Sequence, residues 1–282
     1  MILVAGGTGR LGSLVVARLA ARGLDVRVLT RDPARAGHLD DSATEIVEGD
    51  VRDRANVDAA MRGITTVVSA VQGFAGPGRV TPASVDRDGN ANLVDSATSA
   101  GANVVLMSVV GAAPDHAMEL FRAKYAAEDY LRASGTPWTI VRATAYLELW
   151  ADIMNKPLVF GRGDNPINFV SVQDVAAVVE RAVTDVSLRG MTLEVGGPQN
   201  LTFNELAALL RDLRNRPSKT RHVPRGMLRV LAPLHRQPRA ALTMDTTDMT
   251  FDAISARSAF ADLPITDIPS ALRTAIEYEH HT

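Results

Sequence analysis

The chain has 282 residues, a formal net charge of −2 and no cysteine. The length suits one large α/β domain with an appended lobe and a substantial core. The near-neutral charge gives no global signal for nucleic acid or a membrane surface; the lack of cysteine excludes disulfides, thiolate metal sites and cysteine nucleophiles, and fits a reducing cytoplasm.

Ile2-Leu3-Val4-Ala5 reads as a buried strand, and Gly6-Gly7-Thr8-Gly9-Arg10-Leu11-Gly12 as a tight turn that opens a helix. The strand begins at the second residue, so no leader is expected before it. The first backbone N–H groups of a helix lack intrahelical partners and the dipole there favours an anion, so this turn is a pyrophosphate site. Gly6 and Gly9 allow close approach and Gly12 allows the helix to pack near the strand, with Thr8, Arg10 and Leu11 completing the candidate set. The spacing is Gly-x-x-Gly-x-x-Gly, unlike the Gly-x-Gly-x-x-Gly of ordinary dehydrogenases. Leu14 to Ala21 continue at helical spacing and Gly23 ends the helix.

Asp25 to Thr30 form a second strand, parallel to the first. Its exit is Thr30-Arg31-Asp32, with Arg31 about 20 residues after the glycine turn, where an acidic residue holds the ribose 2′-OH in NAD-binding chains. A guanidinium at that place matches a 2′-phosphate, so NADP(H) is the expected cofactor. Thr44 to Glu48 form the third strand, and Asp50 and Val51 at its exit are adenine-side candidates. A short helix over 53–62 leads to a fourth strand over 66–70. At that strand's exit Ala70, Val71 and Gln72 are cofactor candidates, Phe74 is a substrate candidate, and the glycine-rich loop continues to Gly78. A helix over 82–100 follows, with Val85, Leu93, Val94 and Ala97 inward; Asp86 and Asn90, one turn apart, suit either a cleft lining or a solvated face, and the solvated face is preferred. A fifth strand over 103–107, a helix over 119–133 and a sixth strand over 138–141 complete a doubly wound parallel sheet. No run is long enough to span a bilayer.

These motifs resemble the NmrA-like group of atypical short-chain dehydrogenase/reductases, which includes isoflavone-reductase-like and quinone-reductase-like proteins. The resemblance rests on the glycine turn, Leu29-Thr30-Arg31-Asp32, Glu48-Gly49-Asp50, Ala123-Lys124-Tyr125-Ala126-Ala127-Glu128, Trp138-Thr139-Ile140-Val141-Arg142, Asn168 to Ala176 and Val195-Gly196-Gly197-Pro198. It implies a Rossmann sheet with a smaller, interleaved C-terminal substrate lobe. It also implies a reductase that uses a Ser at the fifth-strand exit and a Lys on the next helix, at Ser108 and Lys124. The usual catalytic Tyr would precede that Lys by one turn, and Leu120 stands there; Tyr125 and Tyr130 lie in other registers. Lys124 is then expected to anchor the nicotinamide ribose, and water or His116 to supply the proton.

Residues 1–142, with 167–185 and 190–196 returning to them, are expected to form the nucleotide-binding domain. Residues 143–166 and 197–282 are expected to form the substrate lobe. Tyr146, Leu147 and Trp150 give that lobe an apolar, aromatic wall suited to a flat hydrophobic acceptor. Relatives in the group usually carry proline after the Arg of the sixth strand; here Ala143 follows Arg142. Arg211 to Arg239 are rich in arginine with only Asp212 opposing them, but have no aromatics for base stacking, so the run reads as a solvated surface. The expected protein is a monomeric or homodimeric cytoplasmic NADPH-dependent reductase of a small electrophile such as a quinone or enone, with no metal, nucleic acid or membrane partner. The alternatives are an NADP(H)-sensing regulator without turnover and a biosynthetic isomerase or cyclase.

Overall fold

The computed structural model describes residues 1–37, 39, 44–74, 80–156, 158–215, 220–256, 260–263 and 265–279. The described residues form these strands, in chain order: β1 Ile2–Ala5, β2 Val26–Thr30, β3 Thr44–Glu48, β4 Thr66–Ser69, β5 Asn103–Val109, β6 Trp138–Ala143, β7 Ala145–Tyr146, β8 Leu158–Phe160, β9 Ile167–Val170, β10 Met191–Val195, β11 Asn200–Leu201 and β12 Arg221–Val223. The first six helices are α1 Arg10–Ala21, α2 Arg54–Ala60, α3 Asp88–Ala100, α4 Glu119–Ala133, α5 Leu147–Ile153 and α6 Val172–Thr184. They are followed by α7 Phe203–Leu213, α8 Arg225–Leu231, α9 Arg236–Met244, α10 Ala253–Ala256 and α11 Ile268–Glu279.

The chain divides into two compact units, one of residues 1–142 and 175–194, the other of 143–174 and 195–282. The first holds a seven-stranded sheet in the order β10-β6-β5-β4-β1-β2-β3. β1 pairs in parallel with β2 and β4, with Ile2 opposite both Val26 and Thr66, and the β2–β3 and β4–β5 pairs are also parallel. The order reverses direction on either side of β1, so the carboxyl ends of β1 and β4 flank the crevice where ligands bind in such sheets. All four residues of β1 are buried. Leu3, Leu29, Val67, Leu93, Leu106, Leu131 and Ile140 form one continuous core between sheet and helices.

One element differs from the periodic reading. The helix expected over 82–100 begins with a wide π-type turn at Pro82–Arg87, opened by a reciprocal Thr81–Ser84 cap, before α3 proper. That turn carries Asp86 inward, to full burial, so the solvated face expected for Asp86 and Asn90 is corrected: both are buried.

The second unit contains the sheet β11-β9-β7 and the parallel pair β12–β8. β9 pairs in parallel with β7 and antiparallel with β11, so residues 167–170 do not join the seven-stranded sheet. Leu147, Val159, Ile167, Phe169, Leu206, Leu210 and Leu272 form this unit's core. No helix among the described residues is long and apolar enough to cross a membrane.

Candidate dinucleotide site

The glycine turn is built by close backbone contacts. Gly6 has φ +82°, and a Cβ there would stand 2.8 Å from the Ala70 carbonyl oxygen. A Cβ on Gly12 would stand 2.1 Å from the Gly6 carbonyl oxygen, so α1 reaches the turn only because residue 12 has no side chain. The Gly9 N–H donates to Gly6 C=O at 2.9 Å, and Gly9 is the helix N-cap. No side chain caps α1 and its first turn holds no acid. The positive end of the dipole therefore meets no protein anion within that turn, which is the electrostatic condition for a phosphate.

The turn connects to the end of β2 through a Thr8–Thr30 hydroxyl hydrogen bond of 3.0 Å. Beyond Thr30, Arg31 is exposed. Asp32 accepts the Ala34 N–H at 3.1 Å and so caps the short helical turn Pro33–Ala36. Its carboxylate has a local backbone role, while the Arg31 guanidinium stands at the strand exit. This arrangement fits NADP(H): a glycine-built turn for the pyrophosphate and a cation for the 2′-phosphate. The Asp50 carboxylate, expected beside the adenine, is held by Arg52, whose Nη2 donates to it at 2.6 Å. The Arg52 guanidinium hydrogen bond keeps the Asp50 pKa below its ordinary value, and Arg31 adds a smaller coulombic effect in the same direction. Val51 is buried and its carbonyl accepts from Asn92 at 2.9 Å.

At the exit of β4, the Ala70 N–H donates to Ala5 C=O at 2.9 Å, which sets Ala70 against the glycine turn. Gln72 is exposed and accepts the Phe74 N–H through Oε1 at 2.9 Å; Phe74 is half-buried. The remaining loop glycines Gly76 and Gly78 lie outside the described residues. Lys124 is 4 % exposed. Its Nζ donates to Val71 C=O at 3.0 Å and lies 3.0 Å from Asp86 Oδ1. Asp86 Oδ2 accepts the Gly73 N–H at 2.7 Å. Lys124 and Asp86 thus form a buried ion pair that grips residues 71–73 from two sides.

Ser108, in β5, is buried, and its Oγ makes no hydrogen bond among the described residues. Glu128 is fully buried and accepts from Arg142 at 2.9 and 2.7 Å and from Arg132 at 2.9 Å. Burial opposes its charge, but the Arg142 and Arg132 guanidinium groups outweigh burial and hold its carboxyl below the usual range. Glu128, Arg132 and Arg142 form a charge network between α4 and β6. His116 is half-buried, stacks on Phe121 at 4.0 Å, and accepts the Met118 N–H on Nδ1 at 3.1 Å. Met118 is the N-cap of α4, so the imidazole supports a helix start. Burial lowers its pKa from the ordinary value. Tyr130 is exposed and donates to Asp95 at 2.7 Å.

In the second unit, Leu147 is fully buried in the core, which corrects its place in a substrate wall: it has no surface to offer. Trp150 packs on Phe203 at 4.6 Å and lines a shallow apolar recess with Ile153, Met154, Leu158 and Phe160. Tyr146 is half-buried. Burial, with the charge of Glu148, pushes its phenol up. No cluster of metal ligands occurs among the described residues. Of the two sequence readings of Asp86 and Asn90, a cleft lining and a solvated face, burial excludes the second, which was preferred. Sequence reasoning missed Glu148, which caps α6 by accepting the Ser171 hydroxyl at 2.7 Å and the Val172 N–H at 2.9 Å.

Comparison with known proteins is consistent with this geometry. A family model described as NAD(P)H-binding matches residues 6–186. The NAD(P)H azoreductase of Xenophilus azovorans is 31 % identical over 224 residues, covering 77 % of this chain and 75 % of the relative. A (4-alkanoyl-5-oxo-2,5-dihydrofuran-3-yl)methyl phosphate reductase of Streptomyces griseus is 32 % identical over 223 residues, with 77 % and 75 % covered. Among solved structures, an NADPH-dependent quinone oxidoreductase from Escherichia coli in complex with NADPH superposes with a TM-score of 0.78 at 20 % identity, covering 98 % of this chain and all of the other.

Proposed function

This chain belongs to the NAD(P)H-binding family of NmrA-like atypical short-chain dehydrogenase/reductases, and from that premise we propose that it is an NADPH-dependent reductase of a small apolar electrophile such as a quinone, an azo compound or an enone. The observation that carries the reading is the glycine-built turn at Gly6–Gly12, whose helix has no side-chain cap, beside Arg31, with Asp32 engaged in a cap. Gly6, Gly9 and Gly12 hold the pyrophosphate and Arg31 the 2′-phosphate; when bound, NADPH supplies the hydride. Thr8 fixes the turn to β2, and Ala70, Val71 and Gln72 border the nicotinamide half.

The type of acceptor is read from the groups around Lys124 among the described residues. Leu120 stands one turn before Lys124, Tyr130 is exposed and bonded to Asp95, and His116 Nδ1 accepts the Met118 N–H at the start of α4. An acceptor that forms a stabilised anion on hydride addition needs little acid help and takes its proton from water, so positioning supplies most of the catalysis. Carbonyls that need a strong acid in the transition state are disfavoured for the same reason. The names of the azoreductase and quinone oxidoreductase relatives are in keeping with this class.

The test is NADPH oxidation against a panel of quinones, azo dyes, enones and simple aldehydes. The expected result is turnover with the first three and little with aldehydes. Tight NADPH binding without turnover of any acceptor would sink the reductase reading and favour a cofactor-sensing protein.

A further inference from the structure

We infer that Asp86 is a positioning residue for the nicotinamide half of the dinucleotide site, acting through Lys124 and residues 71–73; this rests on the NADP(H) reading of the glycine turn. Asp86 lies in the π-type turn Pro82–Arg87, which brings a carboxylate into a place that a regular helix was expected to expose. It is wholly buried and its two oxygens have separate tasks. Oδ1 pairs with Lys124 Nζ at 3.0 Å, and Oδ2 accepts the Gly73 N–H at 2.7 Å. Lys124 in turn donates to Val71 C=O at 3.0 Å.

The neighbouring contacts lead to the same segment. Asn90 donates to the Asp86 carbonyl at 2.7 Å and accepts the Ser69 hydroxyl at 2.5 Å, which fixes the end of β4. A Cβ on Gly73 would stand 2.3 Å from the Thr81 carbonyl, so the loop has no slack on that side. On the other side Gly6 presses against the Ala70 carbonyl. The exit of β4 is therefore held between the pyrophosphate turn and the Asp86–Lys124 pair. The adenosine half of a dinucleotide lies toward β2, so the β4 side of the crevice receives the other half. Apolar replacement of a buried ion pair is often neutral or stabilising. A pair whose every contact converges on one loop is thus explained by the shape of that loop, held to the tolerance a binding site needs.

The experiment measures binding, which is independent of turnover. NADPH and 2′,5′-ADP, which lacks the nicotinamide half, are titrated into the wild-type protein, Asp86→Asn and the Asp86→Asn/Lys124→Met double variant. The double variant leaves no buried unpaired charge and carries the test if the single variant does not fold. The expected result is NADPH binding weakened about 10-fold or more, with 2′,5′-ADP affinity unchanged. Unchanged NADPH affinity, or equal loss of both ligands in the variants that fold, overturns the inference, as does loss of both in both variants. Wild-type protein that binds neither ligand defeats the NADP(H) reading itself, whereas absent turnover with intact binding touches only the reductase reading.

Discussion

Arg31 and Asp32 are neighbours with opposite charges: the Ala34 N–H engages one Asp32 oxygen, and Arg31 is exposed at the end of β2. In the proposed reading it is Arg31 that meets the 2′-phosphate. Arg31→Ala is expected to weaken NADPH binding by about 1.5–3 kcal/mol, the scale of a charge-assisted hydrogen bond, and NADH binding much less. Equal losses in parallel titrations would contradict the 2′-phosphate assignment. His116 makes a second residue-scale prediction. Its folded pKa lies below the ordinary 6.5, chiefly through burial. The fold therefore prefers the neutral ring, and its contribution is present above pH 6.5 and lost as pH falls through the folded value. An NMR titration should place His116 below 6.5, and His116→Asn should flatten that part of the stability curve. The close packing at Gly6 and Gly12 was legible in the sequence because the glycine spacing requires it. The stacking of His116 on Phe121 was not, because no local pattern announces it.

Whole elements were legible where a local rule governs them. Apolar runs marked β1 to β6, and the Thr202–Glu205 reciprocal cap announced α7. The π-type turn before α3 escaped notice because its cause is tertiary: it answers to Lys124 and Gly73, which lie on other elements. The joint between α4 and β6 was equally hidden, since Glu128 looks like an ordinary surface helix residue. Arg142→Met would remove its principal cation and is expected to cost about 3 kcal/mol in denaturant unfolding. The carboxyl of Glu128 is depressed in the wild type, so that stabilisation is present above the ordinary carboxylate pKa and lost as pH falls through the folded value. Arg142→Met should raise the Glu128 pKa and shift acid unfolding to higher pH; an unchanged acid limb would show that Arg132 alone suffices.

At the scale of the molecule, the doubly wound sheet was legible from strand–helix alternation, and so was the return of residues 191–195 to it. The pairing of 167–170 was not, because a four-residue apolar strand carries no mark of its partner; β7 and β11 decide it. The two units are threaded through each other in sequence, with three crossings at 142/143, 174/175 and 194/195. A fragment ending at residue 142 would lack β10 and leave β6 as a bare edge. It is expected to aggregate in size-exclusion chromatography, while a monomeric fragment that still binds NADPH would show the edge to be dispensable. The same threading imposes a schedule on synthesis. β6 is complete at residue 143 and its neighbour β10 ends at residue 195. At ribosomal speeds of about 5–20 residues per second, that edge waits roughly 3–10 seconds for its last strand. A nascent chain of this protein therefore passes through a window in which it is most open to capture by chaperones or by other unfinished copies of itself.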